Sequence, residues 1–156
     1  MGAREILAKA RCFESVLERQ LETLILRGCP ENIVDGLRDL VPKVLKVLCV
    51  QKFRARPGII PVLPVIPFDV LSPAHQMEWV RGEDRSGICK LTASKLYDHL
   101  SNPGKAHYIF DVHDGRSLLG KSMQESLEAI AALGRRPLTA AGGTALSVQS
   151  DILQHH

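Results

Sequence analysis

His107–Ser122 reads HYIFDVHDGRSLLGKS, and two folds compete for it. Its second half, Gly115 to Ser122, has the spacing G-x-x-x-x-G-K-[ST] of a phosphate-binding loop. A strand-like HYIFDV precedes that half and a helix-like MQESLEAIAAL follows it, the flanks such a loop needs. On this reading Gly115, Gly120, Lys121 and Ser122 hold a nucleotide or phosphate, and the chain is a parallel α/β protein. The other reading makes Asp114-Gly115 a two-residue hairpin turn, with RSLL as the return strand of an antiparallel pair.

Three arguments favour the hairpin. Ser122 and Glu125 form an S-x-x-E capping box, which gives the serine a local purpose. A phosphate loop must curl until its N–H groups converge on an anion, leaving Leu118 and Leu119 hanging in the loop, whereas a return strand buries them. A phosphate-loop fold also needs further parallel strands, one ending in an acidic residue near magnesium. The residues after Ser122 instead read as helix. Met123 to Leu133 stops at Gly134, and Thr139 opens a last segment weakened by Gly142-Gly143 at about 1 kcal/mol per glycine. Residues 115–122 are therefore expected to be a hairpin exit and a helix start, with no cofactor bound.

Upstream, apolar residues fall at Ile6, Ala10, Phe13, Leu17, Leu21 and Leu24, one stripe of a helix over Ala3–Leu26 that Gly28 stops. Pro30 suits the first turn of a second helix carrying Ile33, Val34, Leu37, Leu40 and Val41. Pro42 is expected to kink or restart that helix before KVLKVLCV, which is apolar almost all round. The resulting hairpin has more apolar surface than two helices hide, so either residues 59–71 or a second copy of the chain must cover it. In RPGIIPVLPVIPF the prolines at 61, 64 and 67 recur with the polyproline II period. Such a strut is either a ligand for a proline-recognising domain or a core element. Its six Ile, Leu and Val side chains between 59 and 66 favour the core. Ser72-Pro73 opens a short helix to Arg81 anchored by Trp79. GICKL is a short strand, Thr92 caps the helix ASKLYDHL, and HYIFDVH alternates with Tyr108, Phe110 and Val112 on one face.

The chain has 156 residues, 45% apolar and 24% charged, a balance typical of a soluble globular protein. Aromatic residues are only 4%, too few for the stacking platforms of single-strand nucleic-acid binders. A net charge of +3 is mild. Its densest basic run, Lys43, Lys46, Lys52, Arg54 and Arg56, is a solvated helix end and linker, with weak nucleic-acid binding as the alternative. Cys12, Cys29, Cys49 and Cys89 are scattered, without the close pairs of a zinc site. No secretory leader opens the sequence, and Ile6 stands where an N-myristoylation signal wants Ser or Thr. A cytoplasmic protein with reduced thiols and no membrane association is expected.

Asp111 and His113, two apart on a strand, share a face and form half of a base-activated nucleophile, with Cys89 the least implausible partner. They read better as a solvated strand face. With His107 they could line up as metal ligands, but alternate strand residues are about 6.5–7 Å apart, which is less compact than a helical pair. Arg135-Arg136 suits a helix C-terminus by its dipole. Lys95, Lys105 and His107 form no patch with that pair, and His155 and His156 receive no role.

HYIFDVHDGRSLLGKS, then a helix, then GRRPLTAAGGTAL, resembles a group of small bacterial proteins of unknown function, and the similarity extends back through IPVLPVIP to cover most of residues 59–146. The family's last helix carries an acidic residue before a single glycine, where this chain has Gly142-Gly143. The resemblance implies a small soluble domain and brings no activity, cofactor or site. The expected fold is α+β: a helical hairpin over 1–52, a proline-rich extended segment over 53–72, and a small unit over 73–156 with an antiparallel hairpin and short flanking helices. The expected function is a non-catalytic interaction or assembly domain, with no catalytic or metal site. Its partner is an unidentified protein or a second copy in a homodimer, and nucleic acid is unlikely.

Overall fold

The computed structural model describes residues 3–51, 53, 56–81, 86–88 and 103–150, and side chains from residue 8 onward. The fold class is α+β, as expected. Helices α1 (Ala3–Leu26) and α2 (Glu31–Val50) form the N-terminal pair, followed by β1 (Ile59–Val65), α3 (Pro73–Met77), β2 (His107–His113), α4 (Met123–Ala132) and α5 (Ala140–Gln149). Of the sequence expectations, the rest of the strand GICKL beyond Ile88, the helix capped by Thr92, Cys89, Lys52, Arg54, Lys95, His155, His156 and the Ile6 side chain lie outside the described residues.

The hairpin forms for the reasons its spacing gives. Phe13, Leu17, Leu21 and Leu24 are buried on α1, against Ile33, Val34, Leu37, Val44 and Leu48 of α2. The turn is a Schellman motif: Gly28 N–H donates to Ile25 O at 2.9 Å and Cys29 N–H to Leu24 O at 3.0 Å. Burial of Cys29 pushes its thiol pKa up to about 11, so it is an inert core residue. Pro42 does not restart α2, which runs through it as one helix. Pro42 is exposed, so the Arg38 carbonyl that loses its donor faces water.

The proline segment is a β-strand, and here the structure corrects two expectations. β1 pairs antiparallel with β2, in a register running from Ile59 opposite His113 to Val65 opposite His107. The partner of β2 is therefore not RSLL but the distant proline-rich segment. Arg56-Pro57-Gly58-Ile59 leads in as a tight turn, with Ile59 N–H donating to Arg56 O at 3.0 Å and Gly58 at φ 79, a conformation glycine adopts without strain. Val62, Leu63, Pro64 and Val65 are buried, so the segment is a core element, as its apolar content requires.

Side chains of the sheet enter two clusters. Val62, Tyr108 and Phe110 join the α1–α2 hairpin together with Ile66 and Trp79, so the sheet covers the hairpin's surplus apolar surface. Leu63, Val65 and Val112, with Ile60 and Ile109, pack on Ala141, Ala145 and Leu146 of α5. The expectation that Tyr108, Phe110 and Val112 share a face is thus wrong. Asp111 sits at φ 55, and its position opposite Pro61 is skipped by the ladder. At that step the alternation breaks in both strands, sending Val112 and Ile60 to the α5 side.

Two buried glutamines, Gln20 and Gln76, and the half-buried Gln149 join the layers. Gln20 Nε2 donates to Val62 O at 2.7 Å, Gln149 Nε2 to Gln20 O at 3.0 Å, and Gln76 Nε2 to Ile66 O and Leu71 O. Ser72 caps α3 by accepting the His75 N–H, and Pro73 follows at the first helical position, but α3 ends at Met77 rather than Arg81. Trp79 is buried in the hairpin cluster beyond it.

Candidate functional site

Residues 114–122 leave β2 through a chain of local hydrogen bonds. Asp114 N–H donates to Gly58 O, and its carboxylate accepts the Arg116 N–H at 3.0 Å and pairs with Arg116 Nε at 3.3 Å. Gly115 is left-handed and Arg116–Leu118 form a 3-10 turn, so RSLL is not a strand. Within it, Leu118 N–H donates to Gly115 O, Leu119 N–H to Arg116 O and Lys121 N–H to Leu118 O. The expected burial of both leucines fails as well: Leu118 is half-buried and Leu119 is 63% exposed.

The capping box is complete. Ser122 Oγ accepts from Glu125 N–H at 3.2 Å, and Glu125 Oε2 accepts from Ser122 N–H at 2.7 Å. Hydrogen bonding from the Ser122 side chain, then from its N–H, holds the Glu125 carboxyl below its ordinary pKa. The N–H groups of Arg116, Leu118, Leu119, Lys121 and Ser122 therefore all have acceptors within the protein. A phosphate loop needs such amides directed at an anion, and here a carboxylate occupies the helix N-terminus where a phosphate would sit. The sequence motif is met without the loop that gives it chemistry.

α4 ends in a second Schellman motif. Gly134, at φ 66, donates to Ala131 O, and Arg135 N–H donates to Ile130 O. This exit aims Arg135 at β2. Its Nη1 lies 2.8 Å from Asp111 Oδ2, and its Nη2 donates to the Asp111 carbonyl. Asp and Asn tolerate a left-handed backbone best among residues with a side chain, and the clamp holds Asp111 in it from both sides. Sequence reading named Asp111 and Arg135 separately and missed the pair. A weak signal was present in an Asp at mid-strand and an Arg directly after a C-capping Gly.

Beside this clamp runs a groove of about 900 Å³. One wall consists of His107 through Gly115, and the other includes Ile130, Leu133, Arg136 and Leu138. All seven residues of β2 line it, which alternating side chains alone cannot do; what they share is the main-chain edge of the strand. His107 Nδ1 lies 2.8 Å from Lys105 O, which fixes the ring when that nitrogen carries the proton.

α4 itself buries no residue. Met123, Leu127, Ile130 and Leu133 lie on one side of it by helical spacing, and Met123, Leu127 and Leu133 are 82%, 43% and 70% exposed. Leu119 and Leu138, which precede and follow α4 in the chain, are exposed too, and Ile130, Leu133 and Leu138 line the groove.

The other sequence candidates are not assembled. The Asp111 carboxylate is bound to Arg135, so it does not orient His113. Among the described residues no three His, Cys, Asp or Glu side chains gather as a metal-ligating cluster, His107, Asp111 and His113 included. Of the basic run, Lys43 and Lys46 are exposed on α2 and Arg56 at the turn before β1. No described helix is long and apolar enough to cross a membrane. No protein family, curated protein or solved structure matches the chain, and the site's chemistry rests on its own geometry.

Proposed function

We propose that the protein is a non-catalytic interaction module whose contact surface is the apolar stripe of α4 with its flanks, Leu119 and Leu138. The observation that carries this reading is a capped, amphipathic helix with no fully buried residue and an exposed apolar stripe. A surface helix of a globular domain turns its apolar stripe to the core, and a contiguous exposed stripe marks a contact with another molecule. The groove lacks an assembled catalytic group: its one carboxylate at the clamp is committed to Arg135, and Thr139 Oγ1 accepts the Gly142 N–H as the cap of α5.

A homodimer is the second reading. The hairpin no longer argues for it, because the sheet covers the hairpin. The α4 stripe does, since two such stripes can pair across a two-fold axis.

A photo-crosslinking residue placed at Met123 or Leu127 in cells tests both. A protein adduct at these positions and none at the polar position Glu128 supports the module, and the adduct's mass separates a second copy from another protein. Equal labelling at all three positions, or none, contradicts it.

A further inference from the structure

We infer that the groove receives an extended acidic peptide segment, which adds as a strand to the edge of β2. The inference rests on the reading of this region as the contact surface and names the partner's chemistry. Among the described residues β2 pairs only with β1. β1 carries Pro61 and Pro64, which cannot donate to a new strand, while β2 carries no proline. Proline blunts an edge against strand addition, so the two edges of this sheet differ in the way a receptive edge requires. β2 has seven residues, about 23 Å of edge at roughly 3.3 Å per residue, and Ile130 with residues 133–138 lines the same groove and can hold alternate side chains.

The clamp sets where pairing stops. Arg135 takes the Asp111 carbonyl, and the left-handed Asp111 bends the strand, so the incoming segment pairs along His107–Phe110. Charge sets its composition. Asp111 is paired with Arg135 and Asp114 with Arg116, so both groove carboxylates are neutralised. Among the described lining residues Arg136 alone is a cation without a carboxylate partner, which leaves one positive charge there. An acidic segment matches that balance, and Ile109, Ile130 and Leu133 provide apolar contacts for its intervening residues.

The probes are blocked heptapeptides of alternating valine with aspartate or with lysine, titrated into the full chain and followed by amide chemical shifts and hydrogen exchange. The aspartate peptide is expected to bind and to slow exchange at His107–Phe110. The lysine peptide should bind at least about tenfold more weakly, as like-charge juxtaposition demands. Arg136→Ala should weaken the aspartate peptide about threefold, the scale of an exposed ion pair. N-methylation of its alternate amides should abolish protection of the strand. The inference is overturned by no binding at millimolar peptide, by equal binding of the two charges, or by binding that leaves the β2 amides unprotected. Should the peptides fail while adducts still form at Met123 and Leu127, the module stands and only the strand-addition partner is lost.

Discussion

Ser122 and Lys121 separate the two meanings of GRSLLGKS. In the capping box Ser122 satisfies one amide directly and orients Glu125 to satisfy another, while Lys121 lies just outside the helix N-terminus, where the dipole gives it nothing. Ser122→Ala should cost about 0.5–2 kcal/mol. Because α4 buries no side chain, the cost should be read as local opening: amide exchange along α4 faster by roughly twofold to thirtyfold. Lys121→Ala should leave exchange unchanged, and Mg-ATP should not shift the melting temperature of parent or variant. Acid exposes the same box. The Glu125 pKa is lowered on folding, so its stabilisation is fully present above the ordinary Glu value of about 4.3 and is lost as pH falls through the lowered value. α4 amides should therefore lose protection in acid before those of α2 do, and in Glu125→Gln this pH dependence should vanish. Loss of Mg-ATP binding in Lys121→Ala, or unchanged α4 exchange in Ser122→Ala, would contradict the box.

Local signals were legible in the sequence and long-range pairings were not. The span of α1, its stop at Gly28, the caps at Ser72, Ser122 and Thr139 and the anchoring Trp79 each depend on residues within a turn or two, so spacing alone revealed them. The β1–β2 pair joins segments far apart in the chain. The three-residue proline period disguised β1, whose alternation is also broken at Pro61. The Asp111–Arg135 clamp stayed hidden because one partner's position depends on a helix end and the other's on a left-handed strand residue. Within α5 the two glycines, which look alike in sequence, divide. A Cβ on Gly142 would meet Thr139 Oγ1 at 3.2 Å, while one on Gly143 meets nothing within 4 Å. Gly143→Ala should stabilise by about 0.5–1 kcal/mol through helix propensity, and Gly142→Ala should gain less or lose. Chemical denaturation of the two variants checks the ranking, and equal gains would contradict the cap geometry. In β1, Leu63 is fully buried against α5, so Leu63→Ala should cost about 2–5 kcal/mol. A near-zero effect there would restore the exposed proline ligand.

At the scale of the molecule, the two-stranded sheet of the described residues separates two unequal packing clusters. The α1–α2 hairpin covers one face and α5 the other, and Gln20 and Gln149 join the layers through main-chain carbonyls. α4 stands outside this sandwich, held by its caps, by the turn before it and by the Asp111–Arg135 clamp after it. The functional reading depends on that division between a packed body and a helix with no fully buried residue. Its most direct test is the unfolding free energy of Met123→Gln/Leu127→Gln, since Gln is nearly as good a helix former as Met and Leu. The account predicts a change within about 0.5 kcal/mol of the parent, as for other surface substitutions. A loss of about 2 kcal/mol or more would show that the stripe is packed within the chain, and would contradict it.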